Sequence, residues 1–222
     1  MSDSSGGGGG GVGRGNVVPV SQLTDQELLL EKLEVFRIQG RDKKGRTILR
    51  IVGKFFPGRE LGGARGEEAL KGYLEKRVFP RLGERPFVVV YVHTRVQRWD
   101  NFPGVAALRS VYEAVPAAVR AALQAVYFLH PGLQARLFFA TFGRFLFSAG
   151  LYGKLKYVSR LEFLWEHMRK REVEIPEFVH DHDEELERRP LMDYGLESDH
   201  HRIYDAPVMD SAASMYSLRC IS

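Results

Sequence analysis

Apolar residues in this chain switch between two spacings, and the switches mark the elements. "LTDQELLLEKLEVFRI" carries leucines at helical intervals behind Thr24, with Glu27 three residues on, which predicts a capped helix running to Ile38. "GRTILRIVGKFF" follows the turn "GRDKKG" and is β-branched, so a strand is predicted there. Helical spacing returns in "GEEALKGYLEKRVF", with Leu70, Tyr73, Leu74 and Val78 on one side. "PFVVVYVHT" and "QAVYFLH" are apolar at successive positions, the pattern of strands covered on both faces, and "GVAALRSVYEAV" and "PAAVRAAL" between them are helical. An apolar helix, a short strand "GKLKYV" and a helix "RLEFLWEHMRK" capped by Ser159 complete the series. This alternation predicts an α/β fold with a largely parallel central sheet and helices on both faces.

The apolar helix, Leu133 to Phe147, is the unusual element. At 3.6 residues per turn Phe138, Phe142, Phe145 and Leu146 form one stripe, with Arg136, Ala140, Gly143 and Arg144 roughly opposite. About 15 residues at 1.5 Å each reach roughly 22 Å, short of the ~30 Å hydrocarbon core of a bilayer, and two arginines interrupt the run. A membrane span is excluded. Two readings stay open: the stripe packs on the sheet, or part of it lines a ligand cavity. Phe139 and Phe147, off the stripe, supply the surplus apolar surface that keeps the second reading in play.

Composition narrows the function classes. A chain of 222 residues that is 44% hydrophobic supports one core, and a glycine-rich leader and an aperiodic end assign 1–22 to a disordered leader, 23–189 to the domain and 190–222 to a flexible tail touching it at Tyr194 or Ile203. The formal charge is +4, concentrated between Gly132 and Arg171, whereas the stretch from Glu172 onward is acidic. Cys220 is the single cysteine, no apolar leader is present and Cys220 stands one residue short of a prenylation box, so a cytoplasmic protein is expected. "GVGRG" lies in the leader rather than between a strand and a helix and is no dinucleotide fingerprint. No nucleophile elbow, phosphate loop or zinc-protease pair occurs, which argues against an enzyme and predicts no cofactor. His180 and His182, with Asp181 and Asp183, read as a solvated acidic segment rather than a metal site, and His93 and His130 as satisfied strand-edge histidines. Trp99 is expected to anchor a loop and Trp165 to sit in the core. Arg169, Lys170 and Arg171 read as a solvated helix end, and without interleaved aromatics they make no case for nucleic acid.

Three pieces of sequence carry a family resemblance: the D-x-x-GR turn at Asp42 to Arg46, the strand ending "YFLHP" at Tyr127 to Pro131, and "KYV" leading on to "EIP" at Glu174 to Pro176. Together they resemble the CRAL-TRIO lipid-binding domains, and more closely the divergent branch of BCH-type domains found in Rho GTPase-activating proteins and ganglioside-induced differentiation-associated proteins. The likeness runs from Val35 to Leu186. It implies a mostly parallel sheet flooring a lipid pocket under a mobile gate helix, the helix after the "HP" turn. The expected pocket residues are then Phe138, Phe142, Phe145 and Leu146 from the gate, with Val90 and Tyr127 from the sheet. Arg136, Arg144, Lys154, Lys156 and Arg160 are the expected basic rim for a phospholipid headgroup or an anionic membrane surface. The family resemblance also implies a second role, an adaptor for Rho-type small GTPases or their regulators, with the acidic segment Glu172 to Glu187 as a docking surface. This chain departs from phospholipid-transfer members in having one helix ahead of the domain and "EFVHDHDEEL" in place of a Gly-Gly pair, so no headgroup residue carries across by position.

Overall fold

Thr24 starts the first helix as its sequence requires. Its hydroxyl accepts from the Glu27 N–H while the Glu27 carboxylate accepts from the Thr24 N–H, a complete capping box ahead of α1 (Asp25–Lys32). The computed structural model describes residues 17–146 and 149–191, with 144–146 and 149 given for their backbone only. The leader Met1 to Asn16, Phe147, and the tail with Tyr194, Ile203 and Cys220 lie outside the described residues. Val18 already docks on the fold, its N–H donating to the Lys76 carbonyl and its own carbonyl accepting from Arg77.

The helix expected to reach Ile38 stops at Lys32. Glu34 takes a left-handed conformation, φ 50°, and Val35 N–H reaches back to the Leu30 carbonyl, which closes the helix end. The released chain becomes β1 (Phe36–Arg41), antiparallel to β2 (Thr47–Val52). Their hairpin is the D-x-x-GR turn. Buried Asp42 accepts from the Lys44 and Arg46 N–H groups and pairs with the Arg46 guanidinium, so one carboxylate satisfies the whole turn. Burial pushes this carboxyl up, but those hydrogen bonds and the adjacent charge outweigh it and hold it below its ordinary range.

A long helical run follows as α2 (Gly63–Tyr73), a π-helical turn (Leu74–Val78) and α3 (Phe79–Leu82). Pro80 explains the widened turn: a proline lacks the N–H an α-helix would use, and its ring crowds the carbonyl four residues back, that of Lys76. The Lys76 carbonyl turns instead to Val18. Beyond it come β3 (Phe87–Val92), α4 (Val105–Ala114), α5 (Ala117–Ala122), β4 (Leu123–Leu129), α6 (Leu133–Leu146), α7 (Ala149–Tyr152), β5 (Leu155–Val158), α8 (Leu161–Trp165) and α9 (Glu177–Arg188). The acidic stretch expected to be a solvated segment is therefore a helix, held by Val179 and Leu186 buried on its inner face.

The five strands lie in chain order, β1 antiparallel and β2 to β5 parallel. Each parallel crossover moves one strand in the same direction, and right-handed crossovers then place all the connecting helices on one face. Two cores result. Leu49, Phe87 and Val89 pack with Leu70, Leu74 and Val119 under those helices. Ile48, Val88 and Val90 pack with Leu161, Leu164, Met168 and Val179 from the C-terminal part of the chain on the other face.

Candidate ligand cavity

Strand register decides which side chains meet. Leu49, Val89, Val126 and Leu155 stand opposite one another in a row across β2 to β5, and Ile51, Tyr91, Phe128 and Tyr157 form the next row on the same face. Over the first row and most of the second lies a cavity of about 360 Å³. Leu70 and Leu74, Leu108 and Val111 of α4, Val119 of α5, Phe139 of α6 and Leu151 of α7 close it from the helical side.

Few polar groups reach this space. Asn101 has its amide engaged by the carbonyls of Lys54 and Phe56, which fixes the loop after β3 against the cavity. Tyr91 and His93, two residues apart on β3, both face in. Burial alone raises the Tyr91 phenol, and burial lowers the His93 imidazole to about 4, so His93 is neutral near pH 7. Its Nδ1 has no hydrogen-bond partner among the described residues. Gly53 approaches the Tyr91 hydroxyl so closely that a Cβ would lie 2.6 Å from it, which explains a glycine there. Besides Asn101, Tyr91 and His93 the lining holds Tyr112, Tyr152 and Arg120 and is otherwise apolar, a composition that suits hydrocarbon.

The other buried polar cluster has a structural task. Thr94 Oγ1 lies 2.8 Å from His130 Nδ1, and His130 Nε2 lies 2.8 Å from Asp183 Oδ1, which also accepts the Leu161 N–H. The composition is that of a nucleophile, a base and an acid. Thr94 and His130 are buried, however, and neither lines the cavity, so no substrate meets the hydroxyl. Asp183 instead caps α8, where Ser159 was expected to, and joins α9 to the ends of β3 and β4. Burial pushes its carboxyl up, and hydrogen bonds from His130 and Leu161 outweigh that to leave it low.

Several expected site residues stand elsewhere. Val90 and Tyr127 belong to the row with Arg50 and Lys156 on the opposite, filled face. Side chains alternate along a strand, so their neighbours Val89, Tyr91, Val126 and Phe128 take the cavity positions. On α6 it is Phe139 that lines the cavity; Phe138 lies between Phe139 and Phe142, and Phe142 is 52% exposed. The side chains of Arg144, Phe145 and Leu146 lie outside the described residues. Among the described residues the members of the basic rim are engaged separately. Arg136 donates to the Pro131 carbonyl, Arg160 to the Ser159 and Leu186 carbonyls, and Lys156 sits over the Tyr127 ring, while Lys154 stands near the cavity. Trp99, expected to anchor its loop, is 82% exposed beside Arg98; Trp165 packs partly buried against the filled face. His182 stacks edge-on against His130, and among the described residues no three His, Cys, Asp or Glu side chains gather as a metal site would need. No described helix is long and apolar enough to cross a membrane.

A five-stranded, mostly parallel sheet with crossover helices arched over an apolar hollow on one face and α8 and α9 packed on the other defines an α/β domain with an apolar cavity. Residues 45–185 match the family described as the divergent CRAL/TRIO domain, and the chain belongs to that family. Over 147 residues it is 30% identical to ganglioside-induced differentiation-associated protein 2 of Xenopus tropicalis, a stretch that is 65% of this chain and 28% of the frog protein. It is 29% identical over 144 residues to the GDAP2 homolog of Drosophila melanogaster, covering 65% and 25%, and 27% identical over 147 residues to the Homo sapiens protein, covering 65% and 28%. The chain thus spans less than a third of the length of these relatives.

Proposed function

We propose that this domain binds a hydrophobic ligand, a phospholipid or related amphiphile, in the cavity over β2 to β5 and exchanges it with anionic membranes from the cytoplasm without chemistry. The observation that carries the reading is the 360 Å³ apolar cavity, within the roughly 300–1,000 Å³ range of small-molecule sites. Family membership supports it. Exposed apolar side chains on α6 support the membrane step: Leu133 and Leu137 on one side and Phe142 on another, with Leu137 reaching 57%. Lys154 lines a hollow beside the cavity, and each basic group at an anionic surface contributes about 1 kcal/mol, which gives reversible docking.

Organic extraction and mass spectrometry of the purified chain test the ligand, and co-sedimentation with neutral and anionic vesicles across a salt series tests the docking. The expected results are a lipid in one-to-one ratio and binding that anionic lipid strengthens and 1 M salt loosens, as the Debye length falls to about 3 Å. A chain that carries no lipid and takes none from vesicles overturns the reading.

The adaptor role for small GTPases keeps one supporting observation, the exposed Trp99 beside Arg98, residue types that anchor protein interfaces. The acidic segment expected to serve it is less free than its composition suggests: Asp183 is taken by His130, and Glu185 pairs with Arg95 and Arg189. Loss of GTPase pulldown on Trp99→Ala, with lipid content unchanged, is the result that favours this second reading.

A further inference from the structure

Trp99 is the most exposed large apolar side chain among the described residues, and the turn beneath it is built to keep it there. The Gln97 carbonyl accepts from the N–H groups of Asp100 and Asn101, and Asn101 Oδ1 accepts the Gln97 N–H. Behind the turn, the Asn101 amide donates to the Lys54 and Phe56 carbonyls, Asp100 pairs with Arg59, and the Asp100 carbonyl accepts the Gly58 N–H at 2.8 Å. A Cβ on Gly58 would stand 2.9 Å from that oxygen, so the close approach needs glycine. The backbone after Trp99 is therefore pinned inward. Arg98 and Trp99 are left at the apex, the Arg98 Cζ 5.7 Å from the centre of the indole ring.

The apex has a defined place in the fold. β3 and β4 are parallel, so the loop after β3 and the start of α6 after β4 leave the sheet at the same end, where Thr94 and His130 join them at 2.8 Å. Phe102 and Pro103, on the return of the loop, wall the cavity, as does Phe139 of α6. Exposed Leu133 opens α6 at this end. A tryptophan that anchors a protein interface sits within a ring of contacts that exclude water. Among the described residues the chain neighbours of Trp99 offer no such ring: Asp100 and Asn101 are held against the fold, and Gln97 and Arg98 are polar and exposed. An amphipathic indole beside one cation suits the boundary of a bilayer, where tryptophan concentrates and arginine reaches lipid phosphates.

We infer that the loop after β3 is a membrane-docking element, with the Trp99 indole seated at the headgroup boundary of a bilayer and Arg98 on lipid phosphates. This rests on the lipid-cavity reading above and names the surface that brings the cavity to the membrane. Trp99 then serves a bilayer rather than a protein partner.

The chain has two tryptophans, so Trp165→Phe leaves Trp99 as the single indole reporter. The full chain with that substitution is titrated with vesicles of phosphatidylcholine, with and without phosphatidylserine, and with vesicles of phosphatidylcholine brominated in its acyl chains. Trp99 emission is expected to move to shorter wavelength on the vesicles and to be quenched by the brominated lipid. In the otherwise native chain, Trp99→Ala should weaken vesicle binding about tenfold, and Arg98→Gln about fivefold on the phosphatidylserine vesicles alone. Both side chains lie in solvent, so thermal unfolding should be unchanged and lost binding is not lost folding. Vesicle binding that leaves Trp99 emission unshifted and unquenched, or that Trp99→Ala does not weaken, overturns the inference while the cavity reading stands, and returns Trp99 to a protein interface. If lipid co-purifies but no vesicle binds, the inference falls alone. If no lipid is carried and no vesicle binds, the cavity reading falls with it.

Discussion

On one face of the sheet Ile48, Val88 and Leu129 are fully buried beneath Leu161, Leu164, Met168 and Val179. On the other, their chain neighbours Leu49, Val89 and Phe128 look across a 360 Å³ space at α4 and α6. The strands are about equally apolar on both sides, so hydrophobicity does not make the cavity. The cover does. The filled face is sealed by the five-residue α8, the irregular segment after it and α9, which place Met168, Val173 and Val179 against the strands. The cavity face is spanned by the crossover helices; side chains such as Leu70, Val119 and Phe139 meet the sheet there, and the 360 Å³ space is left between them. A void forfeits dispersion contacts along its lining, so this face gives up stability that the filled face retains.

Truncation on the filled face should therefore be the more damaging. Leu164→Ala is expected to cost about 3 kcal/mol in urea unfolding, within the usual range for a buried leucine. Leu108→Ala on the cavity wall, where contacts are already missing, should cost about half as much or less. Equal losses would erase the distinction between the faces.

Acid separates the faces in a second way. His93, on the cavity side, has its folded pKa lowered from 6.5 to about 4, so between those values the unfolded chain binds a proton that the folded one refuses. Stability should fall as pH drops from about 6.5 to 4, by roughly 3 kcal/mol in all. His93→Leu should flatten that window. The depressed carboxyls of Glu27, Asp42 and Asp183 then remain, and their contribution is present above about pH 4 and lost as pH falls through their lowered folded values. Unfolding curves at pH 7 and 4.5 for both proteins measure the difference.

Asp183→Asn probes the filled side, where one carboxylate serves both His130 and the start of α8. A loss of about 2 kcal/mol is expected, with ligand affinity unchanged. The smallest effect belongs to Phe142→Ser on the exposed side of α6. Stability should shift by less than about 0.5 kcal/mol while vesicle binding weakens, and altered ligand stoichiometry would show instead that Phe142 reaches the cavity.

Much of this was legible in the chain, and the gaps have physical causes. Thr24 and Glu27 announce the first cap because both partners of a capping box are local, and Asp42 announces the hairpin for the same reason. β1 was hidden because its first residues continue the leucine spacing of α1, which masks the apolar and polar alternation of Phe36, Arg37, Ile38 and Gln39, too short a run to stand out. α9 was hidden because its inward positions include His182 and Asp183, so the buried side does not read as apolar. The cavity itself was half legible. The resemblance pointed to a pocket over the sheet, but "FVVVYVH" is apolar on both sides and carries no mark of which side is loosely covered, so Val90 and Tyr127 stood in for Val89 and Phe128.

That ambiguity of one residue supplies the most direct test. Val89 and Val90 are adjacent, both apolar and both on β3, and they point to opposite faces. Mass spectrometry of co-purified lipid, alongside thermal unfolding, should be compared for Val89→Phe and Val90→Phe. Val89→Phe is expected to fold with nearly native stability and lose its lipid, because the ring occupies the cavity. Val90→Phe should overpack the filled face, cost about 1–3 kcal/mol, and leave lipid in the molecules that fold. Lipid retained in Val89→Phe and lost from folded Val90→Phe would contradict the assignment of the cavity to this face of the sheet.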